Sequence, residues 1–237
     1  MMRRPNKETR QTVSTFVDLS HVITSGMETY PGLPTPEITP HLTREAAEEI
    51  YGPGITFTIG MVNLCTNTGT YIDVPFHRYA DGHDLTELSL TRVADVPAIC
   101  LDRTGEVEIE LTAADFENDQ VGGLSKIAGM AVLIRTDHAR HFGTPAYVES
   151  HPYLCAQSAD LLAEANVACV GIDSLNIDGT EGGDRPVHSR LLGDDIPIVE
   201  HLTGLDRLPA TGFRFTAVPP KIENAGTFTV RAFATVS

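Results

Sequence analysis

The sequence predicts an α/β fold, a single domain with a mixed, mostly buried β-sheet flanked by helices, and three observations lead there. First, strand-like and helix-like patterns alternate along the second half of the chain. Apolar runs over 128–135 and 167–173 bracket a stretch in which Leu154, Ala159, Leu162 and Ala163 recur at helical spacing. Second, those runs are continuous, as in strands covered on both faces, whereas residues 55–64 alternate apolar and polar like a strand with one wet side. Third, 237 residues suit one large core better than two.

Taken in order, residues 1–15 are polar and charged with no apolar stretch, which reads as a loose arm ahead of a domain spanning 16–237 and not as a secretory signal. Residues 16–23 alternate well enough for a first strand. Residues 24–40 hold four prolines and two glycines and are expected to be irregular, a long excursion of the kind used as a lid or binding loop. Thr43 precedes Glu45 and a stop at Gly52 and Gly54, so a short, exposed helix is expected over 43–50. After the strand at 55–64, residues 67–85 are rich in turn formers, and Gly69 and Pro75 keep the segment from continuing as a ladder. That stretch would crowd Asn67, Tyr71, Asp73 and His77 into one small volume.

Further on, a helical turn is expected within 84–93, a strand over 96–101 and a helix capped by Thr112. The helix within 151–168 should turn Ser158 and Asp160 outward. The Gly-rich loop at 179–184 carries two acids and no lysine, so it is no phosphate cradle. A short helix at 187–192, a strand at 196–200 and two terminal strands at 213–219 and 228–236 complete the pattern.

A formal charge of −15, with no basic cluster beyond Arg3 and Arg4, argues against a nucleic-acid partner. No run of about 20 apolar residues is present to span a bilayer, and a cytoplasmic protein without membrane partners is expected. Cys65, Cys100, Cys155 and Cys169 lack the spacing of a zinc knuckle and read as small buried apolar residues. His138 and His141 could share a metal only on a helix, and a solvated loop is the expectation there.

Asp73 and His77, four residues apart, are a weak signal alone. In context, residues 67–77 read N-T-G-T-Y-I-D-V-P-F-H, which resembles the signature H-x-G-T-H-x-D-x-P-x-H of the cyclase, or kynurenine formamidase-like, metal-dependent hydrolases. The resemblance extends to D-L-S-H at 18–21, Y-P-G at 30–32, G-I-D at 171–173, P-V-H-S at 186–189, I-V-E at 198–200 and V-R-A at 230–232.

This resemblance implies the family's swivelling β/β/α-like fold and a site for one or two divalent ions, zinc or manganese. Carried over position by position, Asp73 matches the metal-bridging aspartate, His188 and Glu200 the later ligands, and His77 the proton-transfer histidine. Asn67 and Tyr71 stand where two metal-binding histidines are expected. An amide oxygen and a neutral phenol are poor ligands beside imidazole, so one ion held by Asp73, His188 and Glu200 is expected rather than two.

Such a site would hydrolyse an amide, formamide or lactam of a small-molecule substrate, with His77 shuttling the proton. A ligand-binding protein without hydrolytic metal, or a lyase or cyclase on a small metabolite, stays open beside it. His21, Tyr30 and Phe76 are further candidates for substrate contact. The resemblance also implies a homodimer or homotetramer.

Overall fold

The computed structural model describes residues 14–236. The strands among them are β1 (Thr15–Asp18), β2 (Glu37–Leu42), β3 (Ile59–Asn63), β4 (Tyr71–Asp73), β5 (Val96–Asp102), β6 (Glu108–Ile109), β7 (Ala131–Arg135), β8 (Tyr153–Leu154), β9 (Cys169–Ile172), β10 (Ile198–Glu200), β11 (Phe213–Thr216), β12 (Thr227–Thr229) and β13 (Phe233–Val236). The α-helices are α1 (Arg44–Tyr51), α2 (Leu90–Val93), α3 (Ala156–Glu164) and α4 (Pro186–Gly193). Nine strands form one mixed sheet in the order β1, β13, β11, β5, β7, β9, β10, β4, β12. Its centre, β5 to β10, is parallel, and antiparallel strands flank it on both sides.

Period-2 alternation along the central strands feeds two cores. Cys100, Leu133, Cys169 and Val199 enter one with Ile72 of β4, while Ile99, Val132, Val170 and Ile198 enter the other. Helices α3 and α4 cover the second core through Leu162, Val187 and Leu191, all fully buried. The first is closed by loop residues such as Leu85, Leu202 and Leu205, so helices flank this sheet mainly on one side. The chain is thus a single α/β domain with few helices, as the alternating pattern predicts. Among the described residues no helix is long and apolar enough to cross a membrane.

Several boundaries differ from expectation. Of the N-terminal arm expected at 1–15, residues 1–13 lie outside the described residues, and Thr15 already opens β1. The expected irregular stretch 24–40 ends in β2, which pairs with β3 as a separate ribbon that leaves Ile38, Ile59, Met61 and Val62 exposed. Alternation in 55–64 therefore did not signal a core face, since all five β3 residues are exposed.

The turn-rich stretch 67–85 contains β4, a fully buried strand between β10 and β12. The expected last strand, 228–236, is two strands: β12 lies at one edge of the sheet, and β13 sits beside β1 at the other end. The segment at 138–141 is a 3₁₀ turn with His138 buried, not a solvated loop.

Ser158 faces inward and is fully buried. Its hydroxyl donates to the Ile109 carbonyl (2.9 Å) and accepts from the Leu111 N–H (2.7 Å), fastening α3 to the chain beyond β6. Ser158→Ala leaves the Leu111 N–H in a dry interior without a partner, while the Ile109 carbonyl keeps the Cys155 N–H (3.0 Å). A loss of about 1–3 kcal/mol is expected in chemical denaturation, and an unchanged midpoint would show that the bonds carry no net stability.

Candidate active site

Strand register assembles the site. In an antiparallel pair, directly opposed residues share a face. Asp73 of β4 opposes Thr227 of β12, and Tyr71 opposes Glu200 of β10. Since alternation sends Ile72 into the core on the far side, Tyr71, Asp73, Glu200 and Thr227 must point together toward the α4 side. Helix α4 begins at Pro186, a residue whose missing N–H suits a first helical position, and so brings His188 over that face.

Asp178 fixes His188. Its carboxylate accepts the N–H groups of Val187 (2.8 Å) and His188 (3.0 Å) and lies 2.6 Å from His188 Nδ1. With Nδ1–H given to Asp178, Nε2 of His188 is left as the atom that can ligate, 3.7 Å from Asp73 Oδ2 and 3.8 Å from Glu200 Oε1. His77 follows β4 on a 3₁₀ turn and is oriented in the same way. The Thr227 hydroxyl donates to Asp73 Oδ1, so its oxygen accepts Nδ1–H of His77 (2.7 Å) and leaves Nε2 of His77 with a free lone pair.

One donor atom from each of Asp73, His77 and His188 lies within 4.8 Å of the others. Asp73 is 0% exposed, and its Oδ2 has no hydrogen-bond partner. An unpartnered carboxylate oxygen beside an imidazole lone pair in a dry site is stable only with positive charge between them. Burial pushes the Asp73 carboxyl up, but His188, His77 and Thr227 hold it below the usual carboxylate range. Burial likewise opposes charge on His188, yet Asp178 and the neighbouring carboxylates lift it to about 10, so without a cation Nε2 carries a proton near neutral pH, and a divalent ion would displace that proton to reach the lone pair. These residues fit a divalent cation: one anionic oxygen without a partner, and imidazole nitrogens held in the ligating tautomer.

Glu200 borders the cluster with both oxygens engaged. Oε1 accepts the Ile177 N–H (2.6 Å) and Oε2 the Tyr71 hydroxyl (2.7 Å). Burial, with Asp73 adding, pushes Glu200 up to about 7 against the pull of His188. Behind Tyr71 runs a column of hydrogen bonds: its oxygen lies 3.3 Å from His201 Nε2, and His201 Nδ1 lies 2.8 Å from the Tyr147 hydroxyl. Tyr71 spends its proton on Glu200, so His201 donates through Nε2 and accepts from Tyr147 through Nδ1. His201 is fully buried, which drives its pKa down to about 3 and keeps the ring neutral.

A cavity of about 320 Å³ opens on the cluster, lined by Tyr30, Leu33, Asn67, Tyr71, His77, Arg78, Asn176, Arg185, His188 and Glu200. It brings together most residues singled out from sequence. Phe76 and His21 are not among the lining residues: Phe76 precedes His77 on the same short turn, and His21 stacks on Phe142, ring centroids 3.7 Å apart. Asp178, Thr227, His201, Tyr147, Arg78 and Arg185 were not legible in the sequence. None sits at a diagnostic spacing, and each reaches the site through strand pairing or a loop. The one signal for Asp178 was its place at the polar end of a buried apolar run.

The family described as "Putative cyclase" matches residues 17–179. A kynurenine formamidase of Bacillus cytotoxicus is 26% identical over 225 residues, covering 92% of this chain and 96% of its own length. In structure the chain resembles isatin hydrolase A of Labrenzia aggregata (TM-score 0.76, 22% identity, 94% of each chain). It also resembles a potential metal-dependent hydrolase with cyclase activity (TM-score 0.73, 23% identity, 95% of this chain and 99% of that one). At these identities the structural likeness is one of fold.

His21 gives the fold a pH dependence away from the cluster. Its Nε2 is buried without a partner, and burial lowers its pKa from 6.5 to about 4. On acidification the unfolded chain takes up the proton first, so this contribution to stability is complete above pH 6.5 and is lost as pH falls toward 4. Tm is expected to decline over that interval, and less steeply in His21→Phe, which keeps the stack on Phe142. Parallel Tm profiles for the two proteins would remove His21 as a cause.

Proposed function

The chain belongs to the cyclase family, and on that premise we propose that it is a metal-dependent hydrolase cleaving a C–N bond, in an amide, formamide or lactam, of a small molecule. The kynurenine formamidases that match along 92% of the chain support an amide-type bond. The observation that carries the reading is the fully buried, unpartnered Oδ2 of Asp73 facing the Nε2 of His188. Asp73 and His188 would hold one divalent ion, zinc or manganese, with Glu200 as third ligand through the lone pair that Oε1, 3.8 Å from His188 Nε2, keeps beside its bond to Ile177. A second ion lacks ligands, because positions 67 and 71 offer an amide and a phenol, and the Tyr71 hydroxyl is committed to Glu200. When bound, the ion supplies Lewis acidity, which makes water nucleophilic near neutral pH and polarises a substrate carbonyl.

The chain's own residues do the rest. Asp178 and Thr227 lock the tautomers of His188 and His77. His77, exposed at the cavity wall, accepts the attacking water's proton at Nε2 and returns it to the leaving nitrogen. The column of Tyr71, His201 and Tyr147 holds the Glu200 carboxyl in one orientation.

Elemental analysis of untagged protein is expected to show near one equivalent of zinc or manganese, lost in Asp73→Ala along with activity. His77→Ala is expected to keep the metal while turnover falls by roughly 10² to 10⁴, the usual worth of a general acid–base. Metal lost from His77→Ala would move His77 into the ligand set, and wild-type protein that binds no ion would refute the hydrolase reading.

A homodimer or homotetramer is also proposed, on the strength of the apolar residues exposed on the β2–β3 ribbon. Light scattering should give a multiple of the 25.6 kDa chain mass, reduced by Ile38→Lys with Val62→Lys, which stand opposite each other in the ribbon. A monomeric wild type would refute this.

A further inference from the structure

Two arginines, Arg78 and Arg185, line the cavity, and neither has a carboxylate partner among the described residues, where seven other arginines each pair with one. Arg44 and Arg207 also lack a carboxylate partner among the described residues, but neither lines this cavity. The two that line it are held by neutral oxygens instead. Arg78 Nε donates to the Ser189 hydroxyl (3.1 Å), and its guanidinium lies 6.0 Å from the Tyr79 ring centroid. Arg185 Nη1 donates to the carbonyls of Gly179 (3.0 Å) and Asp184 (3.3 Å).

Each fork is therefore fixed in place with its charge uncompensated. The terminal nitrogens of Arg78, and Nε and Nη2 of Arg185, have no protein acceptor among the described residues. Asn176 adds a donor: its Oδ1 accepts the Asp178 N–H (2.9 Å), which orients the amide and leaves Nδ2 for the cavity. Glu200 is the one carboxylate in the lining, and its oxygens are already engaged by Tyr71 and Ile177. Against the charge of the rest of the molecule, this cavity wall is cationic.

Guanidinium forks match the planar, two-oxygen geometry of a carboxylate and bind it with charge-assisted pairs of hydrogen bonds. We infer that the substrate is a carboxylate-bearing small amide, its anionic group seated on Arg78 and Arg185 and its scissile carbonyl presented to the cluster of Asp73, His77 and His188. The inference rests on the hydrolase reading for the scissile bond, but the seat for the anion stands on the arginines. Steering follows from the same charges: the field of a chain at −15 repels anions, and two uncompensated guanidiniums at the mouth offset that repulsion locally.

The test is calorimetric titration of the metal-loaded protein with 2-, 3- and 4-formamidobenzoate and with the corresponding uncharged primary amides, hydrolysis being followed separately by chromatography. At least one acid is expected to bind about 10- to 100-fold tighter than its own amide. That preference is expected to disappear in Arg78→Met with Arg185→Met, a protein retaining wild-type Tm and metal content. It should persist in metal-free Asp73→Asn, which separates an anion seated on arginine from one seated on the ion.

Equal affinity for acids and amides, no binding of any acid, or a preference that survives the double substitution or is lost in Asp73→Asn would each overturn the inference. Acid-selective binding without hydrolysis would instead refute the hydrolase reading and leave the anion seat standing. Hydrolysis without acid preference would do the reverse.

Discussion

A carboxylate placed where water cannot reach it governs this site. Asp73 sits at the end of a three-residue strand in the sheet interior and is 0% exposed. Burying that charge is tolerable only with compensation at close range, and the surrounding structure supplies it from three directions. Thr227 comes from the adjoining strand, His77 from the turn after β4, and His188 from the first turn of α4. Oδ2 alone is left without a partner, which is why the cluster suits a cation.

The side chain at position 71 decides what surrounds that charge. A histidine at 71 could offer a ligating nitrogen, whereas Tyr71 offers a proton, and the nearest acceptor is Glu200. Fully buried, Tyr71 has a pKa well above its ordinary value, first through burial and then through the Glu200 and Asp73 charges, so the hydroxyl remains a donor. The bond needs support on its far side, which His201 and Tyr147 give. His201 adopts a left-handed backbone conformation (φ 55°), a local strain that the packed interior maintains while its ring bridges the two phenols. On this side of Asp73 the site carries a neutral, fully hydrogen-bonded column.

Packing beneath the site is close as well. Gly226, just before β12, lies so near the turn after β4 that a Cβ there would stand 2.6 Å from the His77 Cα. The position of His77 is therefore set by backbone against backbone, which is more rigid than side-chain contact. The mouth is built differently, in part from Tyr30 and Leu33 of the proline-rich excursion, an element free to vary in shape without disturbing the cluster.

Pattern and motif alone fix the fold class and most central elements, and they single out four residues that the structure brings to one place. Continuous apolar runs must be buried strands, and Asp73, His77, His188 and Glu200 stand in short motifs that resemble those of the cyclase family. Pattern misjudged β4, because Gly69 and Pro75 flank a strand too short to show a period, and β12, because three residues cannot be separated by pattern from β13. Which residues lie opposite one another is settled in three dimensions alone. Thr227 meets Asp73 across 154 residues, Tyr147 meets His201 across 54, and Asp178 reaches His188 over a loop of ten. Hydrogen bonds depend on distance in space, and the sheet register that sets it is fixed by the packing of all nine strands together.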